Sequence, residues 1–153
     1  MGTFGTGPFS NDGALDLLDG LADQPAARRR QTLERIFSQA RDHPDLLCRT
    51  FFPDEIVAAA ALVAASSPGG ENIRSELAGR GYDVPAVLIP APDHELTASA
   101  LQALLLAAGR DGPWHEGWDN PESAAQARQT SDQVTAILLL EQRSQDQELP
   151  FEH

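Results

Sequence analysis

The feature that most restricts this chain is an unbroken run of ten apolar residues, Ile56 to Ala65, six of them alanine. A helix formed by such a run is apolar on every side and has to be covered all round by neighbours. Ten residues are about half of what a helix needs to cross a bilayer. The run therefore belongs in a protein core, with Pro53 in the favoured first-turn position ahead of it. Alanine adds a second constraint. Its small side chain lets flanking helices come close and leaves little interior room for a ligand. The expected fold is an all-α single-domain bundle of about five helices around this alanine-rich one.

Four other segments carry helical spacing. Ser10, Asn11 and Asp12 are good N-caps, and Leu15, Leu18 and Leu21/Ala22 then recur with Asp16 and Asp19 on the other side, predicting a helix over 12–22. Pro25 opens a second, in which Leu33, Ile36, Phe37 and Ala40 form one face and His43-Pro44 is the stop. Asp93 caps a third with a wide stripe of Leu96, Ala100, Leu101, Leu104, Leu105 and Ala108. Asn120-Pro121-Glu122 starts the last, seamed by Ala124, Ala127, Ser131, Val134 and Leu138. Between them, residues 71–78 suit a short helical piece. The prolines at 85, 90 and 92 favour an extended segment over Tyr82 to Pro92. No repeat or long linker divides the chain, so residues 1–143 are expected to be one domain and 144–153 an acidic, mobile tail.

At 153 residues the chain hides about two thirds of its unfolded surface on folding, enough to need no staple. Cys48 is the single cysteine, set in the apolar stretch Leu46-Leu47-Cys48, and reads as an inert buried thiol. Twenty-three acidic residues face eleven basic ones, a formal charge of −12. That charge repels phosphate backbones and anionic lipid, so neither nucleic acid nor a membrane is expected as a partner, whereas a basic protein is attracted. Every basic residue is arginine, and alanine is abundant, as in proteins of GC-rich bacteria. The N-terminus lacks a basic region followed by an apolar one, so a cytoplasmic protein is expected. Arg28, Arg29, Arg30, Arg35 and Arg41 crowd the outer face of the second helix with Glu34. Their simplest use is pairing with carboxylates of the domain's own surface.

Two loops hold the candidate binding residues. The first is the glycine-rich opening, with Phe4, Asn11, Asp12 and Asp16, expected to be an ordered loop pinned by the rings of Phe4 and Phe9. An anion cradle there would place Asp12 and Asp16 beside the anion and would have no lysine to help. The second runs from Arg110 to Asn120 and carries Trp114, His115, Glu116, Trp118 and Asp119. With Asp93-His94-Glu95 it supplies imidazoles and carboxylates, but the helix between the two clusters is roughly 20 Å long and holds them apart. His115-Glu116 also lacks the second histidine of a zinc-protease motif. No catalytic set, metal or cofactor is expected.

The opening MGTFGTGPFSNDGALD resembles the start of a bacterial family, domain of unknown function 4259, whose pattern is M-G-x-W-G-x-G-x-F-x-N-D-x-A-x-D. The matching positions are Gly2, Gly5, Gly7, Phe9, Asn11, Asp12, Ala14 and Asp16. Phe4 stands in place of the usual tryptophan, and a glutamate the family pattern leads one to expect near Ala61 is missing. The resemblance implies a helical fold and a bacterial source, and carries no activity with it. On charge and on the missing catalytic set, the chain reads as a non-catalytic protein-interaction module, monomer or homodimer, of the immunity or antitoxin kind, neutralising a basic partner. The alternative is a small metal-dependent hydrolase using His115, Glu116 and Asp119.

Overall fold

The computed structural model describes residues 12–43, 53–89, 92–108 and 121–148, with side chains at 14–43, 55–89, 92–108, 121–122 and 125–143. These residues form seven α-helices and no strand: α1 Asp12–Ala22, α2 Ala26–Asp42, α3 Pro53–Ala65, α4 Glu71–Gly79, α5 Val84–Val87, α6 His94–Ala108 and α7 Pro121–Glu148. The five helices anticipated from the sequence are α1, α2, α3, α6 and α7, and two short ones raise the number among the described residues to seven. The glycine-rich opening loop lies outside the described residues.

Every residue from Ile56 to Ala65 is fully buried. α6 is the main neighbour of α3, and α1, α2, α4 and α7 also pack on it. This is the arrangement an all-apolar helix requires, because any open side would leave part of it in water. The C-terminal end of α3 is closed by polar groups rather than by solvent. Ser66 Oγ donates to the Leu62 carbonyl at 2.8 Å, and Ser67 Oγ to that of Val63 at 2.9 Å. Arg74 of α4 reaches back, donating from Nη1 to the carbonyls of Ala65 and Ser67 at 2.7 and 2.9 Å. Backbone amides of Ser66 and Ser67 already partner the carbonyls of Leu62, Val63 and Ala64, the serine hydroxyls add second bonds to those of Leu62 and Val63, and Arg74 partners the Ala65 carbonyl at the helix end. Ser66 Oγ also accepts from the Ile89 amide at 3.2 Å, which ties the chain after α5 to the same point.

The face of α2 chosen by spacing is the buried one: Leu33, Ile36, Phe37 and Ala40. On α7 the buried positions are Ala127, Ser131, Val134 and Leu138, a single narrow seam. Two expectations need correction. The stretch after Tyr82 is not extended throughout, because α5 makes one turn with Pro85 in its first positions, where the missing amide costs nothing. In α6 the buried set is Leu96, Thr97, Ala100, Leu101, Ala103, Leu104, Ala107 and Ala108, while Leu105 is 52% exposed. α6 is gripped by α2, α3 and α7. Three neighbours take most of its circumference, and the strip left open falls on Gln102, Leu105 and Leu106, all exposed.

Two glycines separate space from propensity. A Cβ at Gly70, in the turn between α3 and α4, would overlap the Ala64 carbonyl oxygen and stand 2.7 Å from the Ala65 Cα. At Gly20, inside α1, a Cβ meets nothing within 4 Å. Gly70→Ala is therefore expected to destabilise by about 3 kcal/mol, the upper end for overpacking against backbone. Gly20→Ala is expected to stabilise by up to about 1 kcal/mol through helix propensity alone. Chemical denaturation of the two variants beside the wild type checks both signs.

Candidate functional site

Of the residues singled out in the sequence, Phe4, Asn11, Trp114, His115, Glu116, Trp118 and Asp119 lie outside the described residues. Asp12 begins α1. Asp16 is one turn further on and exposed, in the wall of a pocket between α1 and α2. His43 and His94 are both exposed at the ends of α2 and α6, respectively. Among the described residues no three His, Cys, Asp or Glu side chains gather as a metal site would need.

Two surface pockets adjoin at Gln24 and Thr32. One, of about 190 Å³, is lined by Asp16, Leu17, Gly20 and Leu21 of α1, Gln24, Thr32 of α2 and Glu55 of α3. The other, of about 290 Å³, is lined by Gln24, Arg28, Gln31, Thr32 and Arg35. Gln24 and Thr32 belong to both, and the Thr32 hydroxyl donates to Gln24 Oε1 at 2.9 Å across the boundary. Glu55 sits half-buried at the base of α3. Burial pushes its carboxyl above the ordinary value, and the Arg35 guanidinium offsets part of that rise.

The arginines of α2 divide into two groups. Arg29 donates to the Ala86 carbonyl of α5. Arg30 donates to Glu34 at 3.1 Å and, from Nη2, to both Asp93 oxygens at 3.1 and 3.0 Å. Asp93 accepts the Leu96 amide at 2.9 Å as the N-cap of α6. That bond chiefly, and then Arg30, hold its carboxyl below the usual range. Arg41 donates to Ser99 Oγ at 3.3 Å. These three tie α2 to α5 and α6, but only Arg30 meets carboxylates as expected, since Arg29 and Arg41 bind a carbonyl and a hydroxyl. Among the described residues neither Arg28 nor Arg35 has a carboxylate within 4.0 Å. Both are exposed and line the second pocket.

A second cavity opens on the far side of α6. It is an apolar cleft of about 430 Å³ lined by Arg41, Gln102, Leu105 and Leu106. Sequence reasoning placed Leu105 in the core, since three consecutive leucines, Leu104 to Leu106, give spacing no means of choosing which one turns outward. Leu139 and Leu140 of α7 are likewise exposed, at 40% and 66%, just past the last buried described position of that helix, Leu138.

The chain matches, over residues 2–130, the family described as Domain of unknown function (DUF4259), and it belongs to that family. No curated protein and no solved structure matches it. Within the described residues no helix is long and apolar enough to cross a membrane.

The raised carboxyl of Glu55 fixes the sign of a pH effect. A carboxyl whose folded pKa lies above its unfolded one favours the folded state while protonated, and that contribution is lost as the pH rises through the folded value. Glu55→Gln is therefore expected to be more stable than wild type at pH 7. The gap should narrow as the pH falls through the folded value and close only below the ordinary value of 4.5, where both states become protonated. Urea midpoints at pH 7 and pH 4.5 measure the narrowing, and a constant gap would contradict the burial argument.

Proposed function

We propose that this member of the family is a non-catalytic protein-interaction module of a bacterial cytoplasm, which holds a basic partner through an apolar cleft on a chain that is acidic overall. The observation that carries this reading is the exposed pair Leu105 and Leu106, which line an open apolar cleft on a helix otherwise buried on three sides. Two adjacent leucines left in water on a core helix are a cost to a free monomer and a contact surface to a complex. The chain charge of −12 supplies the second half of the argument, since it raises the encounter rate with a cationic protein and discourages polyanions. An immunity or antitoxin-like role, in which the module blocks a basic effector, fits both halves.

The cleft is far smaller than a standard interface, which buries about 800 Å² on each partner. It would act as the anchor pocket, receiving one or two apolar side chains, with salt-sensitive contacts around it. Removing the leucines should weaken binding by more than any single rim charge does.

Immobilised protein exposed to native host lysate at low and at high salt tests the proposal. The expected result is stoichiometric capture of a basic protein at low salt, reduced at high salt and at least tenfold weaker for the Leu105→Glu/Leu106→Glu variant. Recovery of no stoichiometric partner at either salt, or undiminished capture by the double variant, would contradict it.

A further inference from the structure

The segment after α4 is attached to the body in a way that no other described element shares. It leaves α4 through a glycine cap, makes the single turn of α5 and runs on to Ile89. The cap is firm. Gly81 takes φ +91°, its amide donates to the Ala78 carbonyl at 3.0 Å, and the Tyr82 amide donates to that of Leu77 at 3.2 Å, the paired bonds with which a glycine closes a helix. Beyond the cap, α5 rests on α1, α2 and α4 but is not enclosed by them. Val87 and Ile89 are buried, Tyr82, Val84 and Leu88 are half-buried, and Asp83 and Pro85 are exposed.

Among the described residues three bonds hold this segment down, and each depends on a side chain. Tyr82 Oη donates to Asp19 Oδ1 of α1 at 3.5 Å, on the exposed side and at the outer limit of a hydrogen bond. The Ile89 amide donates to Ser66 Oγ at 3.2 Å. Arg29 of α2 donates from Nη1 to the Ala86 carbonyl. The amides of Ala86 and Leu88 are satisfied inside the segment, by the carbonyls of Asp83 and Val84.

The contact with Arg29 also carries a penalty. Its Nε is buried and has no acceptor among the described residues. A buried donor left unmatched opposes the arrangement that buries it, and water would satisfy it if α5 moved away. The closed position therefore rests on two buried apolar side chains and three side-chain bonds, and is opposed by one stranded N–H. Elements with few buried apolar contacts open at lower free energy than the core. α3, buried throughout from Ile56 to Ala65, is the opposite extreme.

We propose that residues 82–89 are a strap that lifts from α1, α2 and α4 as one unit, pivoting on the Gly81 cap while the rest of the fold stays intact. Lifting hydrates Arg29 Nε, frees Ser66 Oγ and uncovers the apolar surface beneath Val87 and Ile89. The strap is not part of the Leu105–Leu106 cleft on α6, so its test is independent of the interaction reading.

Residue-resolved amide hydrogen exchange of the full chain, followed by NMR without urea and in low urea, decides the matter. The amides of Ala86, Leu88 and Ile89 are expected to be protected, but at least tenfold less than the slowest amides of α3. Their exchange should hardly respond to low urea, because lifting the strap exposes little surface. Ser66→Ala, which takes away the acceptor of the Ile89 amide, should speed exchange at all three amides by a common factor of at least threefold. Val87→Ala should do the same by at least fivefold. Far-UV circular dichroism of each variant confirms that it is folded. Protection within tenfold of α3, with the same urea response, would mean that the segment leaves only when the whole domain unfolds, and exchange at the free-peptide rate would mean that it is not held closed. Acceleration confined to Ile89 in Ser66→Ala would mean that it does not move as a unit. Each of these three results overturns the proposal.

Discussion

α3 has no exposed residue from Ile56 to Ala65, and five other helices touch it, so the rest of the structure is arranged around the requirement that this helix stay dry. Six alanines make that possible by letting neighbours approach closely. Alanine contributes less apolar area per residue than leucine, so the stability of such a core depends on how closely its neighbours fit. The polar closure at the end of the helix follows from the same constraint. Ser66 and Ser67 add side-chain bonds to the Leu62 and Val63 carbonyls, Arg74 partners those of Ala65 and Ser67, and Gly70 allows the chain to turn directly against the Ala64–Ala65 backbone.

Among the described residues, α2 organises much of the polar surface. One side of that helix is the buried stripe of Leu33, Ile36, Phe37 and Ala40. Around its remaining circumference the arginines do different work. Arg29, Arg30 and Arg41 fasten it to α5 and α6, where Arg30 meets the same Asp93 that caps α6. Arg28 and Arg35 line one surface pocket, and Glu55, within electrostatic reach of Arg35, lines the adjoining one. The placement of Glu55 follows from α3: the residue just ahead of the apolar run is partly drawn into the core, which raises its carboxyl and leaves it beside the cavity.

How much of this is readable from the sequence differs by feature. The bounds of α1, α2 and α3 follow from Asp12, Pro25 and Pro53 at their starts and from His43-Pro44 and Ser66 to Gly70 after the second and third, signals that act through local backbone geometry. The seam of α7 is equally plain, because only one side of it packs and the apolar period stands out. α6 is different. With leucine or alanine at most positions its apolar pattern goes nearly all round, and the outward direction of Leu105 depends on where α2, α3 and α7 happen to lie. α5 was hidden for another reason: prolines at 85 and 90 argue for extension, yet one of them fits the first turn of a helix as well. As for the two adjoining pockets, Arg28, Arg35, Asp16 and Glu55 come from three helices, and nothing in their spacing brings them together. Only the packing of α1 and α2 on α3 brings them near one another. The tryptophan-bearing loop that the sequence marks for attention lies outside the described residues, so the surface sites identified here come from tertiary packing rather than from motifs.

The central claim is that a tightly covered alanine helix fixes the fold and leaves little room beside itself. Equilibrium unfolding of Ala60→Leu tests it most directly, since this position is fully buried at the middle of α3. Close packing predicts a loss of about 1–3 kcal/mol, because the added carbons can only be accommodated by moving neighbouring helices apart. A variant as stable as wild type, or more so, would mean that unfilled space lies beside α3, and the account built on its close coverage would be wrong.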